Sequence, residues 1–397
     1  MTRLKALDPL SEEVQHKLTN KGFIFETNEK PQAIFVRSSE VSNDLITPEL
    51  LVIARSGTGV NTIDIDQCTQ NGTVIFNTPG VNANAVKELV LSNLFLSVRP
   101  LIQARQMVQT LKDEVDLEEP DSVLKAAEER RRPFIGEELA GKTVGILGLG
   151  EIGERLAQAC HQLGMDVLGY ARTPREKQTY YTQVSELEDL LKQSDFVVIL
   201  LPLNKQTENM IDEAEFKQMK KNAVLLNFGR GPIVNDEAVV EALNQGEISR
   251  YISDFPTAKL LGHDKIRLFP HIGGSTTTAL TEGDRIALTR MEHYLYEGTI
   301  EESVNYPHAE QHFGAPYRLA IFYRDQPGGF AKIIELVTDS TAEIDNLTSE
   351  RKDGVVYALI DMESQQATIL EKLTTEIADL NHVIRVRLLK NPNMLDG

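Results

Sequence analysis

Cysteine is scarce in this chain of 397 residues: there are two, Cys68 and Cys160. Two thiols do not make a disulfide framework, and a reducing, cytoplasmic setting is expected. Positive charge is in the minority, with 41 Lys and Arg against 59 Asp and Glu and a formal net charge of -18. That balance excludes a general nucleic-acid or anionic-membrane surface. It leaves room for a small anionic ligand, because a local arginine cluster can dominate a cleft. Long apolar runs are missing, so no segment reaches the length that spans a bilayer. The first residues, Met1 to Lys5, carry no apolar stretch of the signal-peptide kind. Internal repeats and low-complexity tracts are absent too. What remains is an ordinary soluble composition, 41% hydrophobic and 25% charged, with length for two or three domains.

The most informative stretch runs from Val144 to Gly153. A short apolar run leads into Gly148-x-Gly150-x-x-Gly153, and a helical pattern follows. Strand, glycine turn and helix is the context that makes this motif a dinucleotide site. The first glycine permits the tight turn, the second lets the backbone approach a pyrophosphate, and the third lets helix and strand pack closely. The helix N-terminus then offers N–H groups and a partial positive charge to the phosphates.

The glycine loop lies near residue 150, so something of domain size precedes it. Residues 1–100 alternate helical and strand-like segments: Ser11–Lys21 is amphipathic, and Ala33–Val36, Leu51–Ala54 and Thr73–Phe76 are strand-like. Asn84–Val98 reads as a helix, and Arg99–Glu128 as charged and helical. From Gly141 to about Gly274 the βα alternation is clearer. Strands are expected at Val144–Leu147, Val167–Tyr170, Phe196–Leu201, Ala223–Phe228, Tyr251–Phe255 and Ile266–Phe269. Phe196–Leu201 is apolar throughout, as in a parallel sheet covered on both faces. Thr278–Glu297 is a long helical pattern, and Asn305–Pro316 reads as a linker. Residues 317–390 follow β-α-β-β-α-β, the ferredoxin-like arrangement. The fold class is therefore α/β: a Rossmann-type doubly wound nucleotide domain, an α/β domain before it, and a ferredoxin-like tail.

Six segments could carry chemistry. Gly169-Tyr170-Ala171-Arg172-Thr173 ends the second nucleotide-domain strand, where an NAD site places a carboxylate against the ribose 2′-OH. Ala171 cannot do so. Either Arg172 and Thr173 accept a 2′-phosphate, or Arg172 stacks on adenine or points to solvent while NAD binds; the cofactor is NAD or NADP. Gly229-Arg230-Gly231 sits at a strand's end, where Arg230 could hold a carboxylate bidentately. His271 follows another strand and precedes two glycines, well placed for acid/base work near neutral pH. Arg55–Val60 and Asn77–Asn82 look like anion loops, and Arg130-Arg131-Arg132 is either a phosphate contact or a solvated patch. No metal site is expected.

These residues together resemble the D-isomer-specific 2-hydroxyacid dehydrogenases, most nearly the D-3-phosphoglycerate dehydrogenases that carry a C-terminal ACT domain. The resemblance covers nearly the whole chain. It rests on Arg55–Val60, Phe76–Gly80, Val86–Leu89, Gly141–Gly153, Asn227–Gly231, Ser253–Pro256, Pro270–Thr276 and Ser303–Pro307. It implies a discontinuous, flavodoxin-like substrate domain, 1–98 with 280–310, a nucleotide domain at 99–279, and an ACT-like regulatory domain at 317–397. It implies Arg230 and His271 as catalytic residues. Cofactor contacts would come from Gly148, Gly150, Glu151, Ile152, Gly153, Arg172, Thr207, Phe228, Asp254 and Gly274. Arg55, Ser56, Gly57, Asn77 and Thr78 would meet a small anionic 2-hydroxy or 2-keto acid. The tail would bind a serine-like amino-acid effector, with Asp325–Gly328 as its first loop, and the chain would form a homodimer or homotetramer.

Two departures stand out. Ala171 replaces the aspartate of NAD-using members. The family pairs its catalytic histidine with a glutamate four or five residues after the aspartate of this segment, where this chain has Ala258 and Lys259. Asp264 or Glu282 is the expected substitute, unless the enzyme is slow or is a weakened sensor of nucleotide and effector.

Overall fold

The computed structural model describes residues 1–25, 30–340, 342–363, 367–391 and 394. The chain divides into two compact units, Met1–Val81 with Leu280–Gly397, and Asn82–Ala279. No helix among the described residues is long and apolar enough to cross a membrane.

The first unit opens with β1 (Thr2–Ala6), α1 (Glu12–Asn20), β2 (Phe23–Ile24), β3 (Ala33–Val36), β4 (Val52–Arg55), α2 (Ile65–Asn71) and β5 (Val74–Phe76). The strands are parallel in the order β2-β1-β3-β4-β5, the flavodoxin-like order. Alternate residues go to opposite faces. Phe35, Ala54 and Phe76 enter one core, while Ile34, Ile53 and Ile75 enter another with Cys68 of α2. Asp64 caps α2 by accepting the Gln67 N–H at 2.9 Å, and Gly72 ends it in the left-handed region.

The second unit begins with α3 (Ala83–Val98), α4 (Leu101–Thr110) and α5 (Ser122–Arg130). The sequence put α3 with the residues before it and a boundary after 98. The structure divides the chain at Asn82 instead. The reason is packing: Val86, Val90 and Leu94 share a core with Leu156 and Ala157. The helix expected over 99–128 is broken: Arg99 is extended before Pro100, α4 ends at Thr110, and α5 begins at Ser122, past Pro120. Then come β6 (Thr143–Leu147), α6 (Glu151–Gln162), β7 (Asp166–Tyr170), β8 (Thr182–Val184), α7 (Leu187–Gln193), β9 (Phe196–Ile199), α8 (Glu213–Phe216), β10 (Val224–Asn227), α9 (Asp236–Gln245), β11 (Arg250–Ser253) and β12 (Ile266–Leu268). All seven strands are parallel, ordered β12-β11-β10-β9-β6-β7-β8. Both faces are covered: Ile146 and Val198 point into one core, Leu147, Val197 and Ile199 into the other. The order reverses between β6 and β9, the crevice where doubly wound sheets receive ligands.

The first unit resumes at Leu280 within α10 (Thr277–Glu297). Its last part is β13 (Tyr317–Arg324), α11 (Gly329–Asp339), β14 (Glu343–Lys352), β15 (Val355–Glu363), α12 (Ala367–Ala378) and β16 (Val383–Lys390). The antiparallel order β14-β15-β13-β16 is ferredoxin-like. Residues 305–316 are not a free linker. Asn305 is buried and bonded to the Ile75 N–H and the Thr73 carbonyl, and Tyr306 and Ala315 are buried as well.

Candidate active site

The turn after β6 is built for a phosphate. Gly148 stands at φ +108, a value side chains avoid. A Cβ on Gly153 would fall on the carbonyl oxygen of Gly148, so α6 packs down on the turn only because that position is glycine. A Cβ on Gly150 would meet nothing within 4 Å, which leaves open space beside the first turn of α6. These residues fit a dinucleotide pyrophosphate. Glu151 is exposed and paired with Arg155 at 3.3 Å, and Ile152 packs against the core.

Three adjacent strands deliver the polar residues. β10 leads to Arg230, β11 to Asp254 and β12 to His271, all beyond the carboxyl ends. Asn227 shapes the first loop by donating to the Arg230 carbonyl at 2.9 Å and accepting the Gly229 N–H at 3.2 Å. Arg230 itself is folded back on the Gly229 carbonyl at 2.7 Å. Asp254 holds the His271 loop through three bonds. Its carbonyl accepts the His271 N–H at 3.0 Å, and its carboxylate accepts those of Ile272 at 2.8 Å and Gly273 at 2.7 Å. It is 2% exposed. The grip has a task, since His271 sits at φ +56, a conformation that costs a non-glycine residue about 1 kcal/mol or more. Phe255 connects the two loops. Its Cβ lies 3.2 Å from where a Gly231 side chain would start, and its ring centroid is 5.0 Å from that of His271.

The other expected cofactor residues share this carboxyl edge. Arg172 donates to the Gln206 side chain at 2.6 Å, and Gln183 bonds the Ala171 and Thr173 carbonyls, so the loop after β7 is ordered by two glutamines. The Thr207 hydroxyl is spent on its own loop, donating to the Pro202 carbonyl at 2.7 Å. The Phe228 side chain is core, and its N–H donates to the Ile199 carbonyl at 3.1 Å. Gly274 packs on Asn82.

In the first unit, Arg55 ends β4 with Ser56 and Gly57 after it, and Asn77 and Thr78 follow β5. They come together: Gly57 N–H donates to Thr78 Oγ1 at 2.8 Å, Asn77 donates to the Thr58 carbonyl at 2.8 Å, and the Arg55 guanidinium lies over Gly57. Sequence reasoning missed two supports. Arg290 of α10 donates to the Asn77 carbonyl at 2.8 Å, and Arg37 pairs with Asp284. Their partners lie more than 200 positions away, so no local signal could reveal them. Arg130 pairs with Glu114 in the second unit.

Asp264, the expected acid of the same unit, does not partner the His271 ring. Within its unit no described residue makes a hydrogen bond to that ring. Asp264 is exposed, Glu282 is bound to Arg285 at 2.8 and 2.6 Å, and Lys259 is held by Glu237. The cysteines offer no nucleophile, since burial pushes both thiols up to about 12.

Residues 105–273 match the family described as D-isomer specific 2-hydroxyacid dehydrogenase, NAD binding domain. The glyoxylate reductase of Thermococcus gammatolerans is 34% identical over 244 residues, 58% of this chain and 68% of that protein. The D-3-phosphoglycerate dehydrogenase of Methanocaldococcus jannaschii is 29% identical over 320 residues, 78% of this chain and 58% of that protein. Among solved structures, the NADPH-dependent glyoxylate/hydroxypyruvate reductase of Sinorhizobium meliloti superposes with a TM-score of 0.65 at 22% identity, over 77% of this chain and 98% of that one.

Proposed function

Since the chain belongs to the D-isomer specific 2-hydroxyacid dehydrogenases and carries their NAD binding domain, we propose that it oxidises D-3-phosphoglycerate to 3-phosphohydroxypyruvate, using NAD or NADP. The observation that carries the reading is the row of Arg230, Asp254 and His271 on adjacent strand ends, with Asp254 pinning the His271 loop. Hydride exchange with C2 is the chemistry a bound nicotinamide supplies. Arg230 swings from the Gly229 carbonyl to the substrate carboxylate and polarises the C2 oxygen. His271 takes the C2 hydroxyl proton at a ring nitrogen during oxidation and returns it during reduction. Arg55, Ser56, Gly57, Asn77 and Thr78 are the substrate loops of this reading.

A second substrate, glyoxylate or hydroxypyruvate, is favoured by the 34% identity to a glyoxylate reductase. Ala171 with Arg172 favours acceptance of NADP, because no carboxylate follows β7 to repel a 2′-phosphate. The reading extends to an ACT-like, amino-acid-binding role for the ferredoxin-like domain and to a homodimer or homotetramer.

Steady-state turnover of D-3-phosphoglycerate with each oxidised cofactor, and of glyoxylate and hydroxypyruvate with each reduced one, tests this. Turnover of phosphoglycerate supports the first reading, and turnover of the keto acids alone moves the assignment to the second. Intact cofactor binding with no turnover of any would replace the enzyme by a sensor.

A further inference from the structure

The inner strands of the ferredoxin-like sheet, β15 and β13, are buried on both faces. One face meets its own helices through Leu319, Ile321, Ala358 and Ile360. The opposite face carries Ala320, Phe322, Tyr357, Leu359 and Leu389 into the core built on β1, β3, β4, β5 and α10. A regulatory module on a tether would leave that face to solvent. This one is docked, and its cations seal the joint on backbone carbonyls. Arg385 donates to Asn71 at 2.7 Å and Pro48 at 2.9 Å, Arg387 to Leu295 at 2.6 Å and Tyr294 at 3.1 Å, and Lys352 to Val304 at 2.9 Å.

The docked face leads to Asn77. The Phe322 and Tyr294 ring centroids are 6.4 Å apart, and those of Tyr294 and Phe76 are 6.2 Å apart. Phe76 is the last residue of β5 and adjoins Asn77. One turn before Tyr294 on α10, Arg290 holds the Asn77 carbonyl. A second route runs in parallel: Lys352 grips residue 304, whose N–H donates to the Ile75 carbonyl at 2.9 Å.

We propose that the C-terminal sheet is a positioning element for the Asn77–Thr78 loop, acting through the buried column Phe322–Tyr294–Phe76. The proposal rests on reading that loop as a substrate loop. Close-packed interiors transmit displacement because their side chains have no slack. Removing the top of the column therefore loosens β5 and the loop it feeds. Phe322, Tyr294 and Phe76 are positioning residues, since each acts through the loop.

The test uses the full chain with Phe322→Ala and Tyr294→Phe, read by amide hydrogen exchange and by kinetics. Phe322→Ala should speed exchange over residues 74–78 by about tenfold or more, leaving 143–147 unchanged. KM for the substrate the wild type turns over should rise severalfold, more than kcat falls. Tyr294→Phe keeps the ring and should match the wild type in both. If Phe322→Ala does not fold, Phe322→Leu shortens the column while keeping an apolar side chain. Faster exchange in β13 and β15 with 74–78 unchanged would overturn the column. Faster exchange over 74–78 with KM unmoved would overturn the substrate role of the loop. Exchange needs no turnover, so failure of the proposed activity is distinguishable from failure of the column.

Discussion

In the seven-stranded sheet the central strands β9 and β10 are buried at every residue and carry no charge, and Arg230, Asp254 and His271 stand in loops past the strand ends. In the four-stranded sheet the charges are inside the strands. Arg318 and Asp361 are both 0% exposed and pair through the Arg318 Nη2 at 2.9 Å. Arg318 also donates to the carbonyls of Glu297, Gln311 and His312. The inner strands of both sheets are covered on two faces, yet β9 and β10 are apolar but for Asn227, whereas β13 and β15 enclose a charge pair whose arginine is spent on a helix end and a turn. The first arrangement frees its strand-end charges for chemistry. The second commits its charges to holding the molecule together.

The sharpest way to break that contrast is to remove a charge from each sheet. Arg318→Ala strands Asp361 in a dry core, and breaking a buried pair from one side costs about 3–5 kcal/mol. Urea unfolding should show a loss of that size, and a loss under 1 kcal/mol would mean the pair is structurally idle. Next, His271→Asn should cut turnover by about 10²–10⁴ as the proton path disappears. Asparagine tolerates the left-handed backbone, so stability should stay within about 0.5 kcal/mol, and dinucleotide titration should be unchanged. Equal loss of binding and turnover would make His271 a structural residue.

The same contrast explains what could be read from the chain. The apolar runs Val144–Leu147 and Phe196–Ile199 announce a parallel sheet because burial on both faces leaves no polar position. The glycine turn, Arg230 and His271 are legible for the related reason that they punctuate those runs. β8, with the sequence Thr-Gln-Val, lies at the sheet's edge and is too short and polar to stand out. The tail strands are visible in the β-α-β-β-α-β order, but their docking is not. Arg385 and Arg387 look like a solvated face, and nothing local says that their partners are the carbonyls of Asn71 and Leu295. Asn305–Pro316 looks like a linker because proline and asparagine favour turns, whereas its burial depends on residues far away in sequence. Asp254 is legible as a strand-end acid. Its hold on three successive N–H groups depends on a loop conformation that composition does not encode.

A smaller effect sharpens the contrast at the other edge of the seven-stranded sheet. Asp195 accepts Thr143 N–H at 2.9 Å and Lys220 Nζ at 2.8 Å. Burial pushes its carboxyl up, but those bonds outweigh it and hold it below the usual carboxylate range. A depressed folded-state pKa means the ionised form stabilises the fold. That stability is present above the unfolded value near 4 and is lost as pH falls through the folded value. Asp195→Asn should cost about 1–2 kcal/mol at pH 7, and its deficit relative to wild type should shrink on acidification. A deficit that stays constant from pH 7 to pH 3 would show that charge is not the cause.

The smallest change concerns the His271 ring, which no described residue of its unit hydrogen-bonds. Ala258 is exposed and lies three residues past Phe255, whose ring touches His271. A carboxylate introduced there would favour the protonated imidazole and raise its pKa. Reduction consumes that proton, so the high-pH limb of the keto-acid reduction profile should move upward in Ala258→Glu by about one unit. Turnover at the optimum should change little, because the proton donor, Arg230 and the glycine turn are untouched. If the limb does not move, the glutamate does not reach the ring. If it moves downward, the group that sets the limb is not His271, and the placement of the proton-transfer step on β12 fails with it.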